Sequence, residues 1–115
     1  MSILSELTAL FNDLGVSVET GVFSDVAPDE YVVVTPLADS FPLFANNRPE
    51  YEAQEVRLSL YSKGNYLELK NNTVSVLLDA DFTISSQQFI GHEDDTGYHH
   101  YAIDAMKLYP ALRRA

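Results

Sequence analysis

An alternating segment, residues 52–62, restricts the fold of this chain more than any other feature of its sequence. Within it, Val56, Leu58 and Leu60 are separated by polar residues. Because successive side chains of a β-strand point to opposite faces, this pattern predicts a strand with one buried face. Such a strand must pack its apolar face against a second layer, so the chain needs a sheet that is covered on one side.

Two amphipathic segments are predicted to supply that layer. Apolar residues recur at three- and four-residue steps over residues 3–14, and Gly15 follows as a stop signal, which predicts a helix over 3–14. A second helix is predicted over 65–79, where Asn65 and Glu68 resemble a capping box. Its apolar face is predicted to contain Leu67, Val74, Leu77 and Leu78.

The remaining segments are predicted to be strands. Residues 31–35 are apolar on both sides, which is typical of a central strand, and Pro36 is expected to end it. Val16, Val18, Val22 and Phe23 suggest a short earlier strand. The segments 82–90 and 98–109 predict a hairpin across the acidic turn 91–97.

These elements predict one α+β domain over residues 1–115, in the order α-β-β-β-α-β-β. A mostly antiparallel sheet of about five strands is expected, with two helices packed on it. The predicted buried residues are Val56, Leu58, Leu60, Leu67, Val74 and Leu78. No apolar run is long enough to predict a bilayer span, and no signal peptide is visible.

Charge and cysteine content exclude several classes of function. The net charge is −10, and residues 1–47 contain seven acidic residues but no Lys or Arg. Such a surface repels phosphate, so neither nucleic-acid nor anionic-membrane binding is expected, although solubility alone also accounts for the charge. The chain has no cysteine, which excludes disulfides, thiolate metal sites and cysteine nucleophiles.

The residues that are most suggestive of chemistry are His92, Glu93, Asp94 and Asp95, followed by His99 and His100. Histidines and carboxylates near a hairpin can bind a metal. Because adjacent strand residues point to opposite faces, His99 and His100 are not expected to share an ion, and a polar hairpin is the favoured interpretation.

No catalytic motif is present. The serines lack a Gly-x-Ser-x-Gly context, and the five glycines form no phosphate-binding loop. The paired carboxylates Asp29-Glu30 and Asp94-Asp95 fall in predicted loops, where water keeps both ionised. The sequence therefore predicts a protein without catalysis, metal or cofactor.

Residues 37–51 are predicted to form a long loop, because they contain Pro42, Pro49 and the turn signal Asn46-Asn47 without any periodicity. The same segment contains the apolar residues Phe41, Leu43 and Phe44. These either fold back on the domain or pack against a partner. The second alternative makes this segment the candidate interaction site.

The residues around this segment resemble a known family. Residues 44–51 read Phe-Ala-Asn-Asn-Arg-Pro-Glu-Tyr, residues 54–63 read Gln-Glu-Val-Arg-Leu-Ser-Leu-Tyr-Ser-Lys, and a helix is predicted near Tyr66. This resembles the tail-completion proteins of long-tailed bacteriophages, also called tail terminators or tail-to-head joining proteins. The predicted order of elements agrees with that family over most of the chain, whereas the motif covers about 25 residues.

The resemblance implies a non-enzymatic virion subunit, assembled in the bacterial host cytoplasm, that forms a ring, typically six-fold. The ring would end the tail tube and join it to the head connector, with DNA only passing through it. The implied contacts are self-association, the tail tube protein and the connector protein. The candidate partner-binding residues are Phe41, Leu43, Phe44, Asn46, Asn47 and Arg48. A small monomeric or dimeric adaptor without catalysis is the alternative.

Overall fold

The computed structural model describes residues 3–20, 28–45 and 48–110, but not the side chains of residues 20, 40–45 and 48–50. No helix within these ranges is long and apolar enough to cross a membrane. The elements are α1 (Ile3–Leu14), β1 (Ser17–Thr20), β2 (Glu30–Ala45), β3 (Arg48–Ser62), α2 (Tyr66–Asp79), β4 (Thr83–His92) and β5 (His99–Pro110). The predicted order α-β-β-β-α-β-β is confirmed. Val22, Phe23 and the C-terminal residues 111–115 lie outside the described residues.

All five strands belong to one sheet in the order β1-β2-β3-β5-β4. β1 pairs with β2 in parallel, and every other neighbouring pair is antiparallel. This confirms the predicted α+β class with a mostly antiparallel sheet and two helices.

One face of the sheet is covered by the two helices, and the core lies between the sheet and this helical layer. Leu58 is directly opposite Val34 on β2 and Ile103 on β5, and all three are buried. The neighbouring Arg57 is exposed on the other, open face. The predicted alternation is therefore confirmed, because Val56, Leu58 and Leu60 all enter this core.

Helix α1 has the predicted bounds and packs through one stripe. Ile3, Leu7 and Phe11 are buried at steps of four residues. Gly15 follows the helix at a φ of +74°, a conformation that L side chains adopt rarely, and its N–H donates to the Asn12 carbonyl at 3.1 Å.

Helix α2 begins as predicted but packs through a different face. The Asn65 side chain accepts a hydrogen bond from the Glu68 N–H at 3.2 Å, which caps the helix. The buried residues of α2 are Leu69, Thr73 and Leu77. The predicted burial of Leu67 and Leu78 is wrong, since they are 52% and 56% exposed, and Val74 is only partly buried.

The polar residue Thr73 explains this error. Its hydroxyl donates to the Leu69 carbonyl at 2.8 Å, so the side chain is satisfied without water and tolerates burial. Val74 and Leu78 each follow a buried residue and therefore lie about 100° further round the helix. The apolar pattern placed Leu77 correctly on the packed face, but it added Leu67 and Leu78, which are exposed.

The predicted loop 37–51 is wrong: β2 continues to Ala45 and β3 starts at Arg48, so the segment is a paired β-hairpin. Pro36 does not end β2 but lies opposite Val56. Proline is tolerated on an outer strand because its missing N–H can face away from the neighbour. Register shifts after Pro36, after Ser40 and after Leu43 accommodate the irregular sequence.

The other predicted strands are confirmed with small changes of bounds. Val32, Val33 and Val34 are all buried, as a central strand requires. β4 and β5 form the predicted hairpin, with His92 opposite His99 beside the connecting turn.

Candidate interaction surface

The β2–β3 hairpin projects from the sheet. On one side, β1 pairs with β2 only from Tyr31 to Val34, and on the other, β5 pairs with β3 no further than Tyr51. Beyond these points the described residues provide no further strand neighbour. The chain consequently extends over 54 × 25 × 23 Å, with a radius of gyration of 15.5 Å. A compact chain of about 100 residues has a radius of gyration near 13 Å.

The structure places most of the predicted site residues in this hairpin. Leu43 is opposite Tyr51, Phe44 is opposite Pro49, and Arg48 is opposite Ala45. Phe41 lies in β2 within the register shift between Ser40 and Leu43. Asn46 and Asn47 lie outside the described residues. Strand pairing therefore brings Leu43, Phe44 and Arg48 to neighbouring positions near the end of the hairpin.

Exposed apolar side chains lie near the base of the hairpin. Tyr51 and Leu108, on the adjacent strands β3 and β5, are 41% and 42% exposed, and Leu37 at the first register shift of β2 is similarly exposed. Leu108 is opposite Ala53, on the open face of the sheet. Sequence analysis missed Leu108. The alternation of β5 contained the signal, since Ile103, Ala105 and Tyr109 are buried at odd-numbered positions and Leu108 is at an even-numbered one.

Charges in the middle of the open face are paired. Arg57 donates to both carboxylate oxygens of Asp104, with Nε and one terminal nitrogen at 2.8 and 3.1 Å. These hydrogen bonds raise the pKa of Arg57 above its ordinary value. The pair joins β3 to β5 in a bidentate geometry, which fixes the register of the two strands. Arg57 is consequently engaged within the chain.

Aromatic rings close the far end of the open face. Tyr31, Tyr61 and His100 stack across three strands, with ring centroids 4.7 and 4.4 Å apart. Tyr98 packs edge-on against Tyr31 at 5.3 Å. Burial raises the pKa values of Tyr31 and Tyr61 and lowers the pKa of His100. These rings cover one another's faces, which favours a structural role over that of a stacking platform for a ligand.

The histidines of the β4–β5 hairpin divide between the two faces, as predicted. His99 packs near Tyr66 of α2, with ring centroids 5.1 Å apart, and near His92 at 4.5 Å, whereas His100 stacks on Tyr61. Within the described ranges, no group of three or more His, Cys, Asp or Glu residues is arranged to hold a metal ion. The His92 Nδ1 lies 3.1 Å from a carboxylate oxygen of Asp94.

A polar cluster secures the opposite end of β5, near the base of the hairpin. Lys107 Nζ donates to Glu6 Oε2 at 2.6 Å and to the Ala80 carbonyl at 2.7 Å. The Tyr109 hydroxyl donates to Glu6 Oε1 at 2.7 Å. Burial, followed by the hydrogen bond to Glu6, raises the pKa of Tyr109. The cluster ties α1 and the end of α2 to β5.

The chain was compared with known proteins. A scan against protein-family models and a search of curated proteins return no match. The resemblance of residues 44–70 to tail-completion proteins therefore depends on the motif and the order of elements. The features of the chain that bear on function are the hairpin, the exposed side chains and the charge distribution.

Proposed function

We propose that this protein is a non-enzymatic subunit of a phage or prophage tail, which forms a ring that ends the tail tube and joins it to the head connector. The observation that carries the proposal is the projecting β2–β3 hairpin. The end of this hairpin and all of β3 lie within residues 44–70, the segment that resembles tail-completion proteins. In this reading the hairpin is an arm that contacts the neighbouring subunit or the tail tube.

Strand pairing suits this segment to the role of an arm. Residues 38–40 and 43–45 of β2 pair with β3, so the backbone of this segment is ordered before any partner arrives. A preorganised arm loses less conformational entropy on docking than a loop does. Phenylalanine, the residue type of Phe41 and Phe44, is enriched at the buried cores of protein interfaces.

The charge distribution is compatible with DNA that passes through the ring without binding. α1, β1 and β2 all lie within residues 1–47, which contain no Lys or Arg. Two of the basic side chains elsewhere are engaged, Arg57 with Asp104 and Lys107 with Glu6. The described surface therefore offers little positive charge to a phosphate backbone.

The double substitution Phe41→Ser/Phe44→Ser tests this function. We expect the variant to fold, to remain monomeric where the wild type forms a ring of about six 12.9 kDa chains, and to fail to join heads to tails in vitro. Mass photometry at increasing concentration and a joining assay measure the two effects. Leu67→Ser/Leu78→Ser is the matched control, because it removes two large exposed apolar side chains from α2 and leaves the hairpin intact.

Three results would count against the proposal in different ways. If the double variant unfolds, Phe41 and Phe44 belong to the core. If it assembles normally, the interface lies outside the hairpin. If the wild type stays monomeric or dimeric at every concentration and joins nothing, the chain is a small adaptor rather than a ring subunit.

A further inference from the structure

We propose that the outer edge of β4 in one copy is the acceptor for the outer edge of β2 in the next, with residues 35–45 of β2 lying against β4. This rests on the proposed ring function and names the surface that receives the arm. The contact would continue the sheet from one subunit into its neighbour.

The geometry of the two edges motivates the pairing. β2 and β4 lie near opposite ends of the sheet order β1-β2-β3-β5-β4. β1 occupies the outer side of β2 only at residues 31–34, and among the described residues nothing pairs with residues 35–45 on that side. β4 is ten residues long, close to the length of the open part of β2, and no described strand pairs with its outer side.

The edge of β4 lacks the charged residues and prolines that commonly prevent strands from pairing with other chains, although register shifts after Ile84 and after Phe89 confine its regular part to residues 86–89. Exposed edges are commonly protected by Lys, other charges or Pro. β4 contains no Lys, Arg, Asp, Glu or Pro. Its register with β5 is continuous over residues 86–89, and the adjacent Phe89 and Ile90 are 46% and 48% exposed. A partner strand would find unpaired backbone groups and apolar side chains there together.

The composition of β2 favours β4 over a second β2 edge as the partner. Pro36 and Pro42 have no N–H. If two β2 edges paired with each other, both strands of the pair would therefore lack backbone donors. β4 contains no proline, so its backbone N–H groups can donate hydrogen bonds to the β2 carbonyls. Asp39 is the only charged residue within 35–45, so the contact brings little like charge together in a chain of net charge −10.

Pairing between the β2 and β4 edges produces a head-to-tail assembly. Because the two edges are different surfaces of one chain, each copy can accept one neighbour and donate to another. Such a head-to-tail contact closes into a ring when the rotation between copies allows it. Two β4 edges paired with each other would instead produce a two-fold dimer and leave the β2 edge open.

Cysteine cross-linking tests the pairing without background, because the chain has no cysteine of its own. Ala38→Cys in β2 and Gln88→Cys in β4 replace exposed residues, and the two variants are given tags of different size. We expect a short bis-maleimide to link the mixed pair and to link neither variant to itself. Ser75→Cys, at an exposed position of α2, is the control that should not link to Ala38→Cys.

A charge variant provides an independent measurement of the same contact. Gln88→Lys/Ile90→Lys should raise the concentration needed for assembly roughly tenfold or more, equivalent to about 1.4 kcal/mol per subunit contact. The control Asn72→Lys/Ser75→Lys adds the same charge to exposed positions of α2 and should leave assembly unchanged. Mass photometry over a concentration series measures both.

The outcomes separate this proposal from the proposed function. Linkage of Gln88→Cys to itself would show β4–β4 pairing and overturn the head-to-tail contact. Wild-type rings without linkage of the mixed pair would overturn the acceptor surface while leaving the ring function intact. A wild type that stays monomeric and joins no tails, with no linkage in any mixture, would overturn both.

Discussion

The two halves of strands β2 and β3 are held by different means. In the half covered by the helices, Val34 and Leu58 are buried opposite each other between the sheet and the helical layer. In the projecting half, Leu43 and Tyr51 are opposite each other beyond the last pairing of β1, and Tyr51 is exposed. The same two strands thus provide stability at one end and an available surface at the other, so substitutions in the two halves should affect different properties.

The largest loss of stability is expected in the covered half. Leu58→Ala should lower the free energy of unfolding by about 2–5 kcal/mol, because Leu58 is fully buried and the substitution leaves a cavity. Denaturant unfolding followed by circular dichroism measures this change. The control is Leu78→Ala on α2, where the side chain is 56% exposed and the loss should be much smaller. Equal losses for the two variants would contradict the described packing.

A smaller loss is expected where the polar cluster secures β5. Tyr109→Phe removes the hydrogen bond to Glu6 and should lower the free energy of unfolding by about 1–2 kcal/mol at neutral pH. Since the folded state raises the pKa of Tyr109, its contribution is fully present below the unfolded pKa near 10 and is lost as the pH rises above it. The free energy of unfolding, measured from pH 8 to 11, should therefore decline more steeply in the wild type than in Tyr109→Phe.

The stacked end of the open face should respond to acid. Burial lowers the pKa of His100, and the nearby Arg57 lowers it further, whereas Glu93 opposes them. Neutral His100 therefore contributes to stability above the ordinary pKa of 6.5, and this contribution is lost as the pH falls through the lower pKa of the folded state. His100→Phe keeps a ring beside Tyr61 and should reduce the loss of stability between pH 7 and 4. If His100→Phe loses as much stability as the wild type between pH 7 and 4, His100 is not the source of that loss.

The smallest effect on stability is expected near the projecting half. Leu108→Ala should change the free energy of unfolding by no more than about 0.5 kcal/mol, because the side chain is 42% exposed on the open face. The same variant should weaken self-association if the arm region is the interface. Sedimentation velocity at several concentrations, beside Leu78→Ala as the matched leucine, measures that change. A loss of stability comparable to that of Leu58→Ala would remove the distinction between the two halves.

Local periodicity was sufficient to predict the elements that bury one regular face. Residues 3–14 and 52–62 follow the helix and strand periods; the structure has the helix with the predicted bounds and the strand with an earlier start, at Arg48. Periodicity failed for α2, where the hydrogen-bonded Thr73 occupies a core position and the apolar Leu67 and Leu78 do not. A pattern of apolar residues cannot distinguish a packed stripe from an exposed one.

The candidate surface was harder to predict than the core. Pro36 and Pro42 interrupt the strand signal in 37–51, and only long-range pairing with β3 shows that the segment is extended. The proximity of Tyr51 to Leu108 likewise depends on the register between β3 and β5, which no local pattern specifies. The residues Phe41, Leu43 and Phe44 could be chosen from sequence, but their hairpin context could not.

The unbroken register of β3 has a mechanical consequence. β3 pairs with β5 from Tyr51 to Ser62 without a shift, whereas its pairing with β2 shifts register after Pro36, after Ser40 and after Leu43. Because the hydrogen bonds of an antiparallel ladder run perpendicular to the strands, a pull along β3 loads many of them in shear at once. Force applied to the end of the hairpin is therefore carried into the covered sheet through β3, while β2 supplies the compliance that lets the arm bend.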